Sequence, residues 1–245
     1  MQQVRGKDKA PGQFRRIQNW IGSDGTSVKE ARFVPISPEK LADGVGIWEK
    51  YIHKPAEDKL VQLAILHAEF ESLHPFIDGN GRVGRMFVPL FLYEAGLIHC
   101  PTFYISAYFE ANRDEYYDRL LSVSRDNNWT GWCVFFLKAV ETQAKENQKK
   151  ASEILALYEK KKTQIQELTR SQYAVYALDF IFERPIFRSI DFAGFDKIPE
   201  PSARRILLNL RKARILIPLR ESSGRKSAVY AFAELLNIAE GKTVF

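Results

Sequence analysis

Cysteine is scarce in this chain: Cys100 and Cys133 are the only two in 245 residues. Neither stands at a ligand-like spacing, so a disulfide framework and a zinc site are both excluded, and each reads as a reduced core thiol of a cytoplasmic protein. Long apolar runs are lacking as well. No stretch of 18 apolar residues occurs, and the opening MQQVRGKDKAPG has no hydrophobic centre, which excludes a spanning helix and a secretion signal and gives no expectation of a membrane partner. Excess charge is also small. The formal net charge is +6, with 45% hydrophobic and 27% charged residues, the balance of an ordinary globular protein. Most of the surplus lies late, since residues 169–245 hold 13 Lys and Arg against 8 Asp and Glu. At this length the chain is one large domain or two smaller ones and buries roughly 70 to 75% of its unfolded surface without staples.

What the chain does have is a dense cluster of chemical handles between His74 and Arg85, HPFIDGNGRVGR. Leu60, Leu63, Ala64, Leu66 and Phe70 recur near helical spacing, so a helix over 56–73 delivers His74 to its end, and Pro75 turns the backbone away there. From Arg82 the spacing is helical again through Phe91, with Gly96 as the stop. The glycines at 79 and 81 flank Asn80 and leave amides free to converge on an anion at a helix N-terminus, where the dipole favours negative charge. Arg82 and Arg85 share a face of that helix. Asp78 supplies one hard oxygen of the kind Mg²⁺ takes alongside substrate phosphates. His74, with an ordinary pKa near 6.5, is the candidate proton acceptor. Each of these residues alone is commonly a turn former or a cap; the combination at these spacings points to phosphate chemistry.

That stretch resembles the signature of the Fic family: HPF, a variable residue, an acid, GNGR, two variable residues and Arg, matched at every defined position. The resemblance implies a mainly α fold, with a helical Fic core, a β-hairpin flap, a linker helix and a C-terminal winged-helix domain. It also implies an activity, protein adenylyltransfer from ATP with Mg²⁺ to a Ser, Thr or Tyr hydroxyl of a target protein. Residue by residue, His74 is the catalytic base, Asp78 the metal ligand, Gly79, Asn80 and Gly81 the anion nest, Arg82 and Arg85 the phosphate clamps, and Phe76 the buried anchor of the loop. Gly81 and Arg82 argue against the Lys-bearing variant of the phosphorylating Doc-like branch.

Taken in order, residues 1–36 form an N-terminal segment and flap, in which two short apolar runs around a Ser-Asp-Gly turn at 23–25 read as a hairpin. It is either a structural hairpin or, by the resemblance that the order G-x-F-R, W-I-G and F-V-P over residues 12–35 carries, an edge that holds a target segment by strand addition. Residues 37–141 make the core, opened by the cap Ser37 and Pro38, with Trp48 and Tyr51 facing inward. A helix from Asn112 carries Tyr116 and Tyr117; the resemblance places one of them near adenine, whereas the residues alone read as core packing. An apolar helix over 129–140 closes the core, and residues 142–168, rich in Lys, Glu and Gln, form a largely solvated linker helix with one apolar stripe, Ile154, Leu155, Leu157, Tyr158, Ile165 and Leu168.

Residues 169–245 form a second unit, with helices at 172–182, 186–195 and 201–213 and strands at 215–219 and 227–232 around a turn at 222–224. This order resembles a winged helix whose third helix presents Arg204, Arg205, Arg211 and Lys212, a face for DNA phosphates or for a protein. Fic proteins of this architecture are restrained by a helix bearing S/T-x-x-x-E-G/N. The one match, Thr142 to Asn147, makes Glu146 the candidate inhibitory residue, at an unexpected position. Self-modification and a homo-oligomer complete the expected partners. Two alternatives stay open: removal of AMP by the same site, and a nucleotide-sensing winged-helix regulator that binds DNA.

Overall fold

The computed structural model describes residues 10, 12–22, 29, 31–224 and 226–244. Its chain divides into two compact units, Met1–Lys145 and Glu146–Phe245.

In the first unit, α1 (Pro38–Ile52), α2 (Lys59–Leu73), α3 (Asn80–Glu94), α4 (Ser106–Ala111) and α5 (Arg113–Asp126) precede a long α6 (Trp129–Thr169). Asp58 fixes the start of α2, its carboxylate accepting from the amides of Leu60 and Val61 at 2.8 and 3.1 Å; this cap places the helix start three residues after the expected one. The helix is buried nearly all round, with Leu63, Ala64 and Leu66 fully enclosed, as befits a central rather than a surface helix. Two indoles grip it from either side through its backbone. Trp48 Nε1 donates to the Leu66 carbonyl at 2.8 Å, and Trp132 Nε1 to that of Ala64 at 2.7 Å. Ahead of α1, the two apolar runs of the expected flap meet at one isolated antiparallel bridge, Ile21 to Phe33. The turn at 23–25 lies outside the described residues.

Two expectations for this unit change. Cys100 is exposed, with its Sγ 3.2 Å from Thr102 Oγ1, because the connection between α3 and α4 runs over the surface; Cys133 is half-buried. The expected core helix and linker helix are one uninterrupted helix, α6, since no Gly or Pro interrupts 141–168 and its residues are mostly strong helix formers.

The expected apolar stripe in the later part of α6 is partly covered. Leu157 and Ile165 are buried in the second unit's core, with Ile154 and Tyr158 packed beside them, and Lys161, almost enclosed, pairs with Glu234 at 2.5 Å. This unit continues with α7 (Ala174–Glu183), β1 (Ile186–Arg188), α8 (Ser189–Ala193), α9 (Glu200–Lys212), β2 (Ile217–Arg220), β3 (Val229–Ala231) and α10 (Ala233–Glu240). The helix expected over 186–195 is split. Ile186, Phe187 and Arg188 pair antiparallel with Ala231, Tyr230 and Val229, leaving only 189–193 helical. The sheet order is β1-β3-β2, so β3 is central and a distant partner overrides the local helical spacing. Helix α10 was not foreseen.

Because Trp132 is fully enclosed and its ring NH adds a second hydrogen bond to the Ala64 carbonyl inside α2, Trp132→Phe is expected to lower stability by about 1–3 kcal/mol, from the lost bond and the space the smaller ring leaves. Urea denaturation measures it; an unchanged midpoint would show that the bond contributes nothing.

Candidate functional site

The site is built on the joint between α2 and α3. His74 closes α2 in the left-handed region, φ 46 and ψ 58, a conformation that costs a residue with a Cβ about 1 kcal/mol or more unless its surroundings hold it there. Arg15 holds it. Only 2% exposed, its guanidinium donates to the carbonyls of His74 at 3.0 Å, Leu73 at 3.3 Å, Ile17 at 3.3 Å, and Ile36. One buried cation thus satisfies carbonyls that the end of α2 leaves without intrahelical partners. The Arg15 amide adds a bond to the Pro75 carbonyl at 2.9 Å.

Beyond Pro75, Asn80 locks the loop. Its Oδ1 accepts from the Phe76 amide at 2.8 Å while its Nδ2 donates to the Phe76 carbonyl at 2.7 Å, and the side chain is buried. Phe76 itself is half-buried, against Phe14 at 5.9 Å between ring centroids, so the anchor of the loop is the amide of Asn80 more than the ring. Gly79 takes φ 87 to turn the chain into α3, whose start has no side-chain cap. In contrast with the capped start of α2, the first amides of α3 keep their capacity for an anion. Asp78 and Arg82 stand at the rim, both partly exposed and 3.8 Å apart. Arg85 is half-buried one turn further in.

Burial sets the protonation states. It pulls His74 below its ordinary pKa, with the charge of Arg15 acting the same way and a backbone bond to Glu71 opposing. His74 Nδ1 lies 3.4 Å from the Glu71 carbonyl; a carbonyl only accepts, so Nδ1 carries the proton and Nε2 is the basic nitrogen. Burial also pushes Glu71 up to about 7, Arg85 opposing, and holds His67 at about 3. His67 is therefore a neutral core residue, bonded through Nε2 to Tyr116 Oη at 3.0 Å and stacked on Trp132.

A cavity of about 490 Å³ opens beside this joint, lined by Arg85, Tyr116 and Tyr117 together with Tyr104, Ser106, Ala107, Phe109, Glu110 and Arg113, within the size range of small-molecule sites. The two tyrosines differ. Tyr116 is buried with its hydroxyl engaged, whereas the Tyr117 ring lies under the guanidiniums of Arg32 and Arg113, 5.2 and 5.9 Å away. Glu146 is exposed on α6 and is the first residue of the second unit. Arg204 pairs with Glu200 and Arg211 with Glu221.

Three residues of the site were not foreseen: Arg15, His67 and Glu71. Only Arg15 left a signal, the G-x-F-R of the flap; His67 and Glu71 are separated from His74 by seven and three positions on α2 and are hidden in its apolar pattern.

The joint thus sets a basic imidazole at one helix end beside an uncapped, arginine-bearing helix start. Residues 1–92 match the family model described as Fic/DOC family. It is 36% identical over 89 residues, 35% of this chain, to protein adenylyltransferase fic-1 of Caenorhabditis briggsae. It is 32% identical over 88 residues, again 35% of this chain, to protein adenylyltransferase Fic of Drosophila grimshawi. A probable protein adenylyltransferase of Aquifex aeolicus (strain VF5) is 45% identical over 70 residues, 28% of this chain. The chain spans 16% of the length of the first two and 22% of the third. The fold is similar to that of a Fic family protein from Desulfovibrio desulfuricans G20, with a TM-score of 0.52 and 18% identity, covering 90% of this chain and 62% of that one.

Substituting Arg15→Gln removes the charge and leaves several carbonyls unsatisfied, a loss of about 3 kcal/mol or more. Chemical denaturation reads it; a loss below about 1 kcal/mol would show that the clamp is dispensable.

Proposed function

We propose that this chain is a protein adenylyltransferase that moves AMP from ATP onto a side-chain hydroxyl of a target protein. The observation that carries the reading is the joint itself: a half-buried, neutral imidazole and an uncapped helix start bearing Arg82 and Arg85, joined by five residues and locked by Arg15 and Asn80. In this reading His74 Nε2 takes the hydroxyl proton and the oxygen bonds to the α-phosphorus. The bond to the bridging oxygen then breaks, and pyrophosphate leaves with that electron pair. The amides of Gly79, Asn80 and Gly81 and the guanidiniums of Arg82 and Arg85 bind the charged oxygens, and the cavity floored by Tyr116 and Tyr117 takes the base and sugar. Positioning and charge stabilisation are what such transfers chiefly need.

The donor set suits Mg²⁺: Asp78 is a partly exposed carboxylate at the rim, and magnesium is usually held by one or two carboxylates plus substrate phosphates. When bound there, the ion neutralises phosphate charge.

A target protein follows from this reading, with self-modification and self-association as further partners. For the second unit we keep the winged-helix reading. What supports it is the order helix, strand, helix, helix and two further strands, with β3 central and α9 presenting Arg204, Arg205, Arg211 and Lys212. The pairing of Arg204 and Arg211 with glutamates lowers the charge available to DNA phosphates, which favours the enzymatic reading over a DNA-binding regulator.

Incubation with ATP, Mg²⁺ and host lysate, followed by mass spectrometry, is expected to show an AMP adduct, with His74→Ala slower by about 100-fold or more. No adduct, or an adduct unaffected by His74→Ala, would contradict the reading. With His74 held below 6.5, the base stays neutral as pH falls through that value. The acid limb of the rate at saturating ATP is therefore expected below pH 6.5, and a limb at or above it would show that another group titrates.

A further inference from the structure

Among the described residues, Glu71 Oε1 is a buried carboxylate oxygen with no hydrogen-bond partner. A buried orphan of this kind is costly and asks for a reason. Its place in the fold supplies one. Gly81 and Gly84 stand three apart on α3 and leave a notch into which the carboxylate projects: a Cβ on Gly84 would meet Oε1 at 2.6 Å, and one on Gly81 at 3.9 Å. The same Cβ on Gly81 would meet Arg85 Nη1 at 3.0 Å. Glu71 and Arg85 therefore both approach Gly81, yet no hydrogen bond joins the guanidinium to the orphaned oxygen, and Arg85 also lines the large cavity.

We propose that Glu71 is a positioning residue for Arg85, an internal counter-anion in the Gly81 and Gly84 notch that competes with nucleotide phosphates for the guanidinium. The proposal deepens the adenylyltransferase reading and rests on it. When phosphates take Arg85, the carboxylate loses the cation opposite it and takes up a proton in compensation. Its pKa of about 7 puts that exchange within reach at neutral pH. The groups facing Glu71 are Arg85 from α3, Tyr116 and Tyr117 from α5, and Arg32, which shares a narrow cleft with it ahead of α1. Tyr116, held well above its ordinary pKa, does not titrate in this range. On α2 itself, His67 stays neutral. Glu71 is thus the group whose charge changes.

Sign follows from the raised pKa. Above about pH 7 the carboxylate is charged and opposes phosphate binding; below it the carboxyl is neutral and releases Arg85. The probe is α,β-methylene-ATP with Mg²⁺, which cannot transfer AMP, and the control is AMP, which lacks the outer phosphates. Calorimetric titration of the full chain at about pH 8 is expected to show Glu71→Gln binding the analogue at least about fivefold tighter than wild type, with AMP unchanged. At about pH 6 the two proteins are expected to converge, because the wild-type Glu71 carboxyl is then neutral like the amide that replaces it. Equal affinities at both pH values, or weaker binding by Glu71→Gln, would overturn the proposal. Absence of analogue binding by wild type at either pH would instead sink the nucleotide reading, and this proposal with it. Should Glu71→Gln not fold, wild type alone decides: titrations near neutral pH in buffers of different ionisation enthalpy are expected to show net proton uptake with the analogue, and none would overturn the inference.

Discussion

One buried guanidinium underlies the arrangement of the site. Arg15 donates to carbonyls at the C-terminal end of α2 and to two on the segment ahead of α1, and so ties the N-terminal segment to the helix that His74 closes. His74 would otherwise relax from its left-handed conformation, since a helix end has no intrinsic reason to keep a residue with a Cβ there. Burial works against keeping Arg15 charged, and the charge of Glu39 opposes that loss. Asn80 repeats the device on the other side of the joint by satisfying both backbone groups of Phe76. Between them, the two side chains convert a five-residue connection into a fixed angle between two helices.

Electrostatics then follow from where α2 lies. It is the most enclosed helix of the first unit, and it carries His67, Glu71 and His74 on successive turns. Burial alone pushes all three toward neutrality, which lowers the imidazoles and raises the carboxyl. His67 becomes a core residue, bonded to Tyr116; His74, at the rim, stays neutral with a basic nitrogen; Glu71 is left close to its titration point facing Arg85. A single central helix thereby separates packing from proton chemistry by depth.

Much of the site was legible because its information is local. HPFIDGNGRVGR encodes a helix stop, a turn and a helix start within twelve positions, and the structure places a left-handed His74, a positive-φ Gly79 and an α3 start at those points. Arg15 was legible only as part of G-x-F-R, since its partners lie 58 and 59 positions away. Glu71 was invisible for a different reason: its role depends on two missing side chains on another helix. Elsewhere, periodicity misread Ile186 to Arg188 as helical because their pairing with β3 spans some 40 residues. It did find the apolar stripe of the later part of α6, and Leu157 and Ile165 of that stripe are enclosed. Spacing reports which residues share a face, and partners distant in sequence decide what covers that face.

The central claim is that the joint holds a neutral imidazole against an anion-binding helix start. Nuclear magnetic resonance of ¹⁵N-labelled histidine tests it most directly, by following His74 through a pH titration with and without α,β-methylene-ATP and Mg²⁺. The account predicts that His74 titrates below 6.5 with Nδ1 protonated in the neutral ring, and that its resonances move on addition of the nucleotide analogue. A His74 that titrates at or above 6.5 and ignores the analogue would contradict it.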